Sequence, residues 1–251
     1  MGQLDDKTAL VTGASTGIGF ATARLFIDEG ARVYITGRRE AELDAAARAL
    51  GPNAIPVRSD VSDPQDLDRV FGAVASAGTG LDVVFANAGG GELATIDELT
   101  PEGFDHTFGI NVKGTVFTVQ KALPLLNPGA SIVVTGSTSA HRGTPGFGVY
   151  SASKAAVRQF VRVWAAELAP RGIRVNTIVP GPTDTPALHG LAPDEATVAP
   201  LLQQLAASTT LDRLADPSEI AAAVLFLSTA QSSFVTGSEL FADGGEVQTF
   251  T

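Results

Sequence analysis

Three side chains in the chain are of types that could move a proton together. Ser137 follows an apolar run, and Tyr150 and Lys154 come next on a helical pattern, four residues apart. That spacing puts both on one face of a helix. Tyrosine is a poor acid-base group at neutral pH, with a free pKa of ~10. A nearby ammonium favours the phenolate and lowers that value. A serine hydroxyl beside them could hold a carbonyl oxygen while the phenol delivers or removes a proton. Taken alone, a tyrosine and a lysine four apart on a helix are a frequent accident. A second segment of this kind is Thr12-Gly13-Ala14-Ser15-Thr16-Gly17-Ile18-Gly19, directly after an apolar run. Glycines there let backbone approach a pyrophosphate, and a following helix offers free N–H groups and its positive dipole end. The spacing Gly-x3-Gly-x-Gly differs from the commoner dinucleotide fingerprint. A tight turn with no ligand would also use glycine.

The combination is far more specific than its parts. Thr12-Gly13-x3-Gly17-x-Gly19, Asp60-Val61, Asn87-Ala88-Gly89-Gly90, Asn111, Ser137, Tyr150-x3-Lys154 and Pro180-Gly181 occur in that order over essentially the whole chain. In this the chain resembles the short, single-domain branch of the short-chain dehydrogenase/reductase family. The resemblance implies a catalytic tetrad of Asn111, Ser137, Tyr150 and Lys154. Tyr150 would be general acid in reduction and base in oxidation. Lys154 would hold the nicotinamide ribose and depress the Tyr150 pKa, Ser137 would orient the substrate oxygen, and Asn111 would help hold a water leading to solvent. Gly13, Ser15, Thr16, Gly17, Ile18 and Gly19 would form the pyrophosphate turn. Asp60 and Val61 would contact adenine, and Asn87, Ala88 and Gly89 the adenosine-side ribose and backbone. Pro180, Gly181, Thr183 and Thr185 would line the nicotinamide and its phosphate. Ala86 departs from the pattern, which often has a second asparagine there; that puts one structural hydrogen bond in doubt.

The expected cofactor is NADP(H). In NAD-binding relatives an acidic residue at the end of the second strand accepts from the adenosine ribose hydroxyls. Here that place is Gly37, followed by Arg38 and Arg39. Glycine removes the repulsive charge, and arginines can pair with a 2′-phosphate through planar, charge-assisted hydrogen bonds. Alternatively both arginines begin a solvated helix with Glu40 and Glu42 as partners. Thr16 stands where many NADP-binding relatives carry a second basic residue.

The elements that must position these residues are legible as an alternation. Short, nearly continuous apolar runs at 8–12, 32–36, 54–59, 82–86, 131–135, 174–179 and 239–242 read as strands buried on both faces. Helical patterns lie at 17–29, 39–50, 63–76, 101–124, 150–170 and 217–229. Strict alternation predicts right-handed βαβ crossovers and a single α/β domain over 1–251, a doubly wound parallel sheet of seven strands of the Rossmann type. The least regular stretch, 183–210, is expected to be a mobile substrate lid. Val157, Phe160, Val161, Trp164, Ala165 and Leu168 form a stripe at helical spacing. Core packing would explain it; in the resembling family that helix also meets its copy in a neighbouring subunit, which implies a homotetramer.

Composition narrows the function classes. The chain has 251 residues, no cysteine and a net charge of -10. Disulfides and thiolate chemistry are excluded, and an acidic protein repels nucleic acid. No signal pattern or bilayer-length apolar run is present, so a cytoplasmic protein with no membrane partner is expected. His106, His141 and His189 are scattered, which argues against a metal site and suits solvated loop positions. The expected partner is a small carbonyl or alcohol substrate: a ketone or aldehyde of moderate hydrophobicity, with 3-oxoacyl thioesters and hydroxysteroids as alternatives. A non-catalytic nicotinamide-binding regulator should have lost a member of the tetrad, and all four residue types are present.

Overall fold

The computed structural model describes residues 2–249. The strands are β1 (Thr8–Val11), β2 (Arg32–Gly37), β3 (Ala54–Arg58), β4 (Leu81–Ala86), β5 (Leu126–Thr135), β6 (Arg174–Pro180) and β7 (Glu239–Ala242). They form one sheet in the order β3-β2-β1-β4-β5-β6-β7, and every pairing is parallel. The helices between them are α1 (Gly17–Asp28), α2 (Glu40–Leu50), α3 (Pro64–Ala77), α4 (Pro101–Phe108), α5 (Thr115–Ala122), α6 (Gly148–Leu168), α7 (Pro186–His189), α8 (Glu195–Ala207) and α9 (Pro217–Ser228).

Alternating residues of the inner strands feed two cores, which is why those runs are apolar throughout, while the edge strands β3 and β7 are only partly buried. Leu10, Tyr34, Val84, Ile132 and Val175 face one side and pack with Val70, Val119 and Val157 of α3, α5 and α6. Val11, Ile35, Phe85 and Val133 face the other and pack with Phe26, Leu43 and Val224 of α1, α2 and α9. Because all strands run one way, all their carboxyl ends, and the loops that follow, collect at one edge. The order reverses between β1 and β4, and a crevice opens there.

Three expectations need correction. The pattern at 101–124 is not one regular helix: α4 and α5 are joined by a π-helical segment, Gly109–Gly114, and a 3-10 turn, Leu123–Leu125, follows. The segment lets the chain pass close to the β3–α3 connection, where a Cβ on Gly114 would lie 2.8 Å from Val61 Cγ2. The fifth strand begins at Leu126, five residues before the apolar run, with a register shift opposite Leu81 and Val83. The stretch 183–210 is largely helical. Pro186 sits in the first turn of α7, capped by Thr185, and α8 starts with a capping box between Asp194 and Thr197. Only the proline at 200 lies inside a helix. The helix-6 stripe divides. Val157, Val161, Ala165 and Leu168 are buried, while exposed Phe160 stacks at 5.4 Å on Trp164, which packs at the edge of the core.

Candidate active site

The glycine turn links β1 to α1 at the carboxyl edge. Gly13 and Gly17 have φ of 65° and 57°, which other residues adopt at a cost. A Cβ at Gly13 would lie 2.9 Å from Ala88 Cα, and one at Gly19 2.3 Å from the Gly13 carbonyl oxygen. Extended Thr16 precedes α1 without a side-chain cap, and the first turn carries no acidic residue. The free N–H groups and dipole of α1 therefore face a cradle that only glycine backbone can line, the features an anionic phosphate group requires. Ile18 is half-buried against the core beside it. Thr185 Cγ2 is 3.1 Å from where a Gly17 Cβ would be, so the loop after β6 arches over the turn. In that loop Thr183 turns its hydroxyl onto the Gly181 carbonyl at 3.0 Å. Gly181 passes so close to Asp243 Cα that a Cβ would lie 2.7 Å away, just beyond buried Pro180.

Asn87 is a clamp rather than a free ligand. Its amide nitrogen donates to the Thr12 and Gly13 carbonyls at 3.0 and 3.3 Å, and its amide oxygen accepts from Thr135 Oγ1 at 3.2 Å. Thr12 Oγ1 in turn accepts from the Asn87 and Ala88 N–H groups, both at 3.0 Å. The replacement at Ala86 is harmless here: the residue is buried at the end of β4, and Asn87 makes the ties.

The tetrad residues converge from β5, α6 and the π segment. Lys154 Nζ donates to the Thr135 carbonyl at 2.9 Å and lies 5.7 Å from the Tyr150 ring centre. Asn111, buried in the π segment, accepts from Gly90 N–H at 2.9 Å and donates to Ser153 Oγ at 2.8 Å. Ser153 passes its own proton to the Tyr150 carbonyl at 2.6 Å. The Asn111 side chain thus braces the base of α6. Ser137 caps a 3-10 turn, Thr138–His141, and its Oγ accepts from Ser139 Oγ at 2.9 Å and Ser139 N–H at 3.2 Å. Ser139 and Ser153 were missed from the sequence; a hydroxyl two or three residues from a catalytic candidate is the signal that could have found them.

Burial dominates the electrostatics. It pushes the Tyr150 phenol up, and a hydrogen bond with Ser137 opposes only part of that. It pulls the Lys154 ammonium down to about 8. The expected depression of Tyr150 by Lys154 is therefore not the net effect in the protein by itself. A protonated phenol beside a largely protonated ammonium is a proton donor held ready.

At the adenosine end, Gly37 closes β2, buried, with Ser15 close in front of it. A Cβ there would lie 3.1 Å from Ser15 Oγ. Arg38 is exposed, and Arg39 stands at the N-cap position of α2 and pairs with Glu42 at 3.3 Å on the surface. Asp60 Oδ1 accepts from Ser62 N–H and Oγ, and Val61 is buried beneath Gly114. His141 and His189 are not merely solvated: their Nε2 atoms lie 2.9 Å from Glu239 and 2.7 Å from Asp184. His106 lies in the last turn of α4.

Known proteins with this organisation were found by three comparisons. A family model described as Enoyl-(Acyl carrier protein) reductase matches residues 13–246. Oxidoreductase asL5 of Sarocladium schorii is 45% identical over 248 residues, 98% of each chain. The 3-oxoacyl-[acyl-carrier-protein] reductase FabG of Thermotoga maritima is 35% identical over 250 residues, 98% of this chain and 99% of that one. A solved short chain dehydrogenase/reductase family protein superposes with a TM-score of 0.86 at 40% identity, covering 98% of this chain and all of its own.

The depressed Lys154 has a sign that can be measured. Below about 8 the lysine is charged in both folded and unfolded states, and the full desolvation penalty weighs on the fold. Between about 8 and 10.5 the folded state has released a proton that the unfolded chain still holds, so stability rises with pH. Lys154→Met should therefore unfold at a higher urea midpoint than the parent at pH 7, without ligand. The gain should narrow as pH rises through that window. A gain that is absent at pH 7, or that widens with pH, would contradict the burial argument.

Proposed function

The chain belongs to the short-chain dehydrogenase/reductase family, and on that premise we propose that it is an NADP(H)-dependent reductase of ketones or aldehydes, working in reverse on secondary or primary alcohols. The observation that carries this reading is the convergence of Ser137, Tyr150 and Lys154 beside a glycine cradle at the sheet's carboxyl edge.

When bound, the dinucleotide supplies or takes up a hydride. Ser137 orients the substrate oxygen; the two hydrogen bonds it accepts from Ser139 hold its hydroxyl in place beside Tyr150. In reduction Tyr150 delivers its proton to the oxygen, and in oxidation the phenolate removes one. A phenol raised by burial favours the donor role. Lys154, anchored on the Thr135 carbonyl, stabilises the phenolate as the proton leaves, and its remaining N–H bonds serve the nicotinamide ribose. The substrate lies between 90–93, the 138–147 loop and the α7–α8 segment, which acts as its lid. The similarity to a 3-oxoacyl-thioester reductase favours that substrate class as the second reading.

A homotetramer accompanies this reading. Phe104 stacks on Phe108 on α4, and Phe160 stacks on Trp164 on neighbouring α6, with Phe104, Phe160 and Val163 all exposed. Such aromatic faces are covered by a second copy in symmetric assemblies. Light scattering at micromolar concentration should give a mass well above 25.7 kDa; a monomer would rule the assembly out.

The chemistry is tested at Tyr150. Tyr150→Phe keeps the ring and its edge contact with Phe147 at 6.2 Å but removes the proton. Turnover of carbonyl substrates, followed by cofactor absorbance, should fall by about 10²–10⁴ while dinucleotide affinity changes little. A variant that retains parental kcat would end the assignment.

Cofactor choice is tested at Gly37. Gly37→Asp places a carboxylate beside Ser15, where it repels a 2′-phosphate and can accept from ribose hydroxyls. The ratio of kcat/KM for NADPH over NADH should exceed one in the parent and fall at least about tenfold in the variant. A parent that prefers NADH, or a ratio that does not move, would refute the NADP(H) reading.

A further inference from the structure

Arg58 ends β3 directly opposite Gly37 in the parallel register. Paired residues on neighbouring strands project from the same face of a sheet. Arg58 therefore leaves the sheet on the side to which a Gly37 Cβ would point, that of Ser15 in the glycine turn and Leu43 on α2. Its Nε donates to the Arg38 carbonyl at 3.3 Å, which holds the guanidinium against the β2–α2 turn. Arg58 and Arg38 are both exposed, and neither has a carboxylate partner among the described residues. Arg39 is occupied by Glu42. Two unpaired cations at adjacent strand ends, about 5 Å apart in backbone, repel each other unless an anion sits between them.

On the NADP(H) reading above, we infer that Arg58 joins Arg38 in holding the adenosine 2′-phosphate, and is a specificity-determining residue of this site. The sequence directs attention to Arg38-Arg39 because they are adjacent to Gly37 in the chain. The sheet replaces Arg39 with Arg58, which is adjacent in space. A forked guanidinium reaching across from a second strand suits a phosphate with several free oxygens.

A purely structural role makes a different prediction. The Asp66 carboxyl is held below its usual range chiefly by the hydrogen bond from Asp60 N–H, and Arg58 contributes least among the groups acting on it. If Arg58 acted through Asp60, its loss would weaken adenosine binding with or without a 2′-phosphate.

The test is calorimetry on the ligand-free protein with adenosine 2′,5′-bisphosphate and adenosine 5′-monophosphate as probes. Arg58→Gln should weaken the bisphosphate about tenfold or more and leave the monophosphate within about twofold. Arg58→Lys, which keeps the charge and loses the fork, should recover part of the difference. Equal weakening of both probes, or no change in either, overturns the inference. If Arg38→Gln selectively weakens the bisphosphate and Arg58→Gln does not, the NADP(H) reading stands and the role of Arg58 falls. If the parent binds the two probes alike, the NADP(H) reading itself falls, and this inference with it.

Discussion

The hydrogen bonds of one side chain, Asn87, hold the carboxyl edge together. It leaves the end of β4 and ties to the Thr12 and Gly13 carbonyls beyond β1 and to the Thr135 hydroxyl at the end of β5. Where a parallel sheet ends, its last backbone groups lose their ladder partners and must be satisfied by something else. Asn87 does this at the crevice, with the Thr12 hydroxyl meeting two further N–H groups. The result fixes the glycine turn relative to Thr135, and the Thr135 carbonyl is what Lys154 holds. Cradle and proton donor are thus referred to one set of strand ends.

The first turns of α6 are also fixed by a second relay. Gly90 N–H to Asn111, Asn111 to Ser153 and Ser153 to the Tyr150 carbonyl form a chain of hydrogen bonds from the β4 loop into the first turns of the helix. The π segment is what makes the relay reach. An extra residue in the turn re-aims the helix surface, and Asn111 sits within that segment, buried. Burying Lys154 between these two relays is unfavourable for the fold, because its ammonium has lost water and gained one carbonyl. That strain is local to the site, where a cation beside the phenol has chemical use.

The sequence made the sheet legible because strands buried on both faces need short, continuous apolar runs, and these alternate regularly with helical patterns along the chain. The catalytic residues were legible only as a constellation; their hydrogen bonds join residues such as Asn111 and Ser153, 42 positions apart. The π segment was invisible because six residues, Gly109–Gly114, are too few for an apolar pattern to separate a π turn from an α turn. The region 183–210 read as irregular because its prolines were counted as breakers. Pro186 opens a helix, where its missing N–H is no loss, and Pro200 is tolerated within α8 after a strong capping box. Arg58 was passed over because relevance was sought along the chain, while the parallel register brings it beside Gly37.

The two halves of the site are built from different materials, and this bears on how they change. The dinucleotide cradle is backbone packed on backbone: Gly13 on Ala88, Gly19 on the Gly13 carbonyl, Gly181 on Asp243. Any side chain at those positions collides, so the cradle tolerates little. The segments around it are held instead by side-chain pairs. His141 meets Glu239 of β7, Arg142 meets Glu246 near the C-terminus, and His189 meets Asp184 within the loop after β6. The last turn of the α8 region is fastened to the same C-terminal segment, with Leu211 N–H donating to the Gly244 carbonyl at 3.2 Å. The first pair is tied to α6, because Glu239 also meets Arg162 at 2.8 Å, whereas the Arg142–Glu246 and His189–Asp184 pairs touch neither α6 nor a strand. The cradle is therefore constrained by backbone packing shared across the fold, whereas the loops beside it rest on side-chain pairs, two of which can be replaced one at a time.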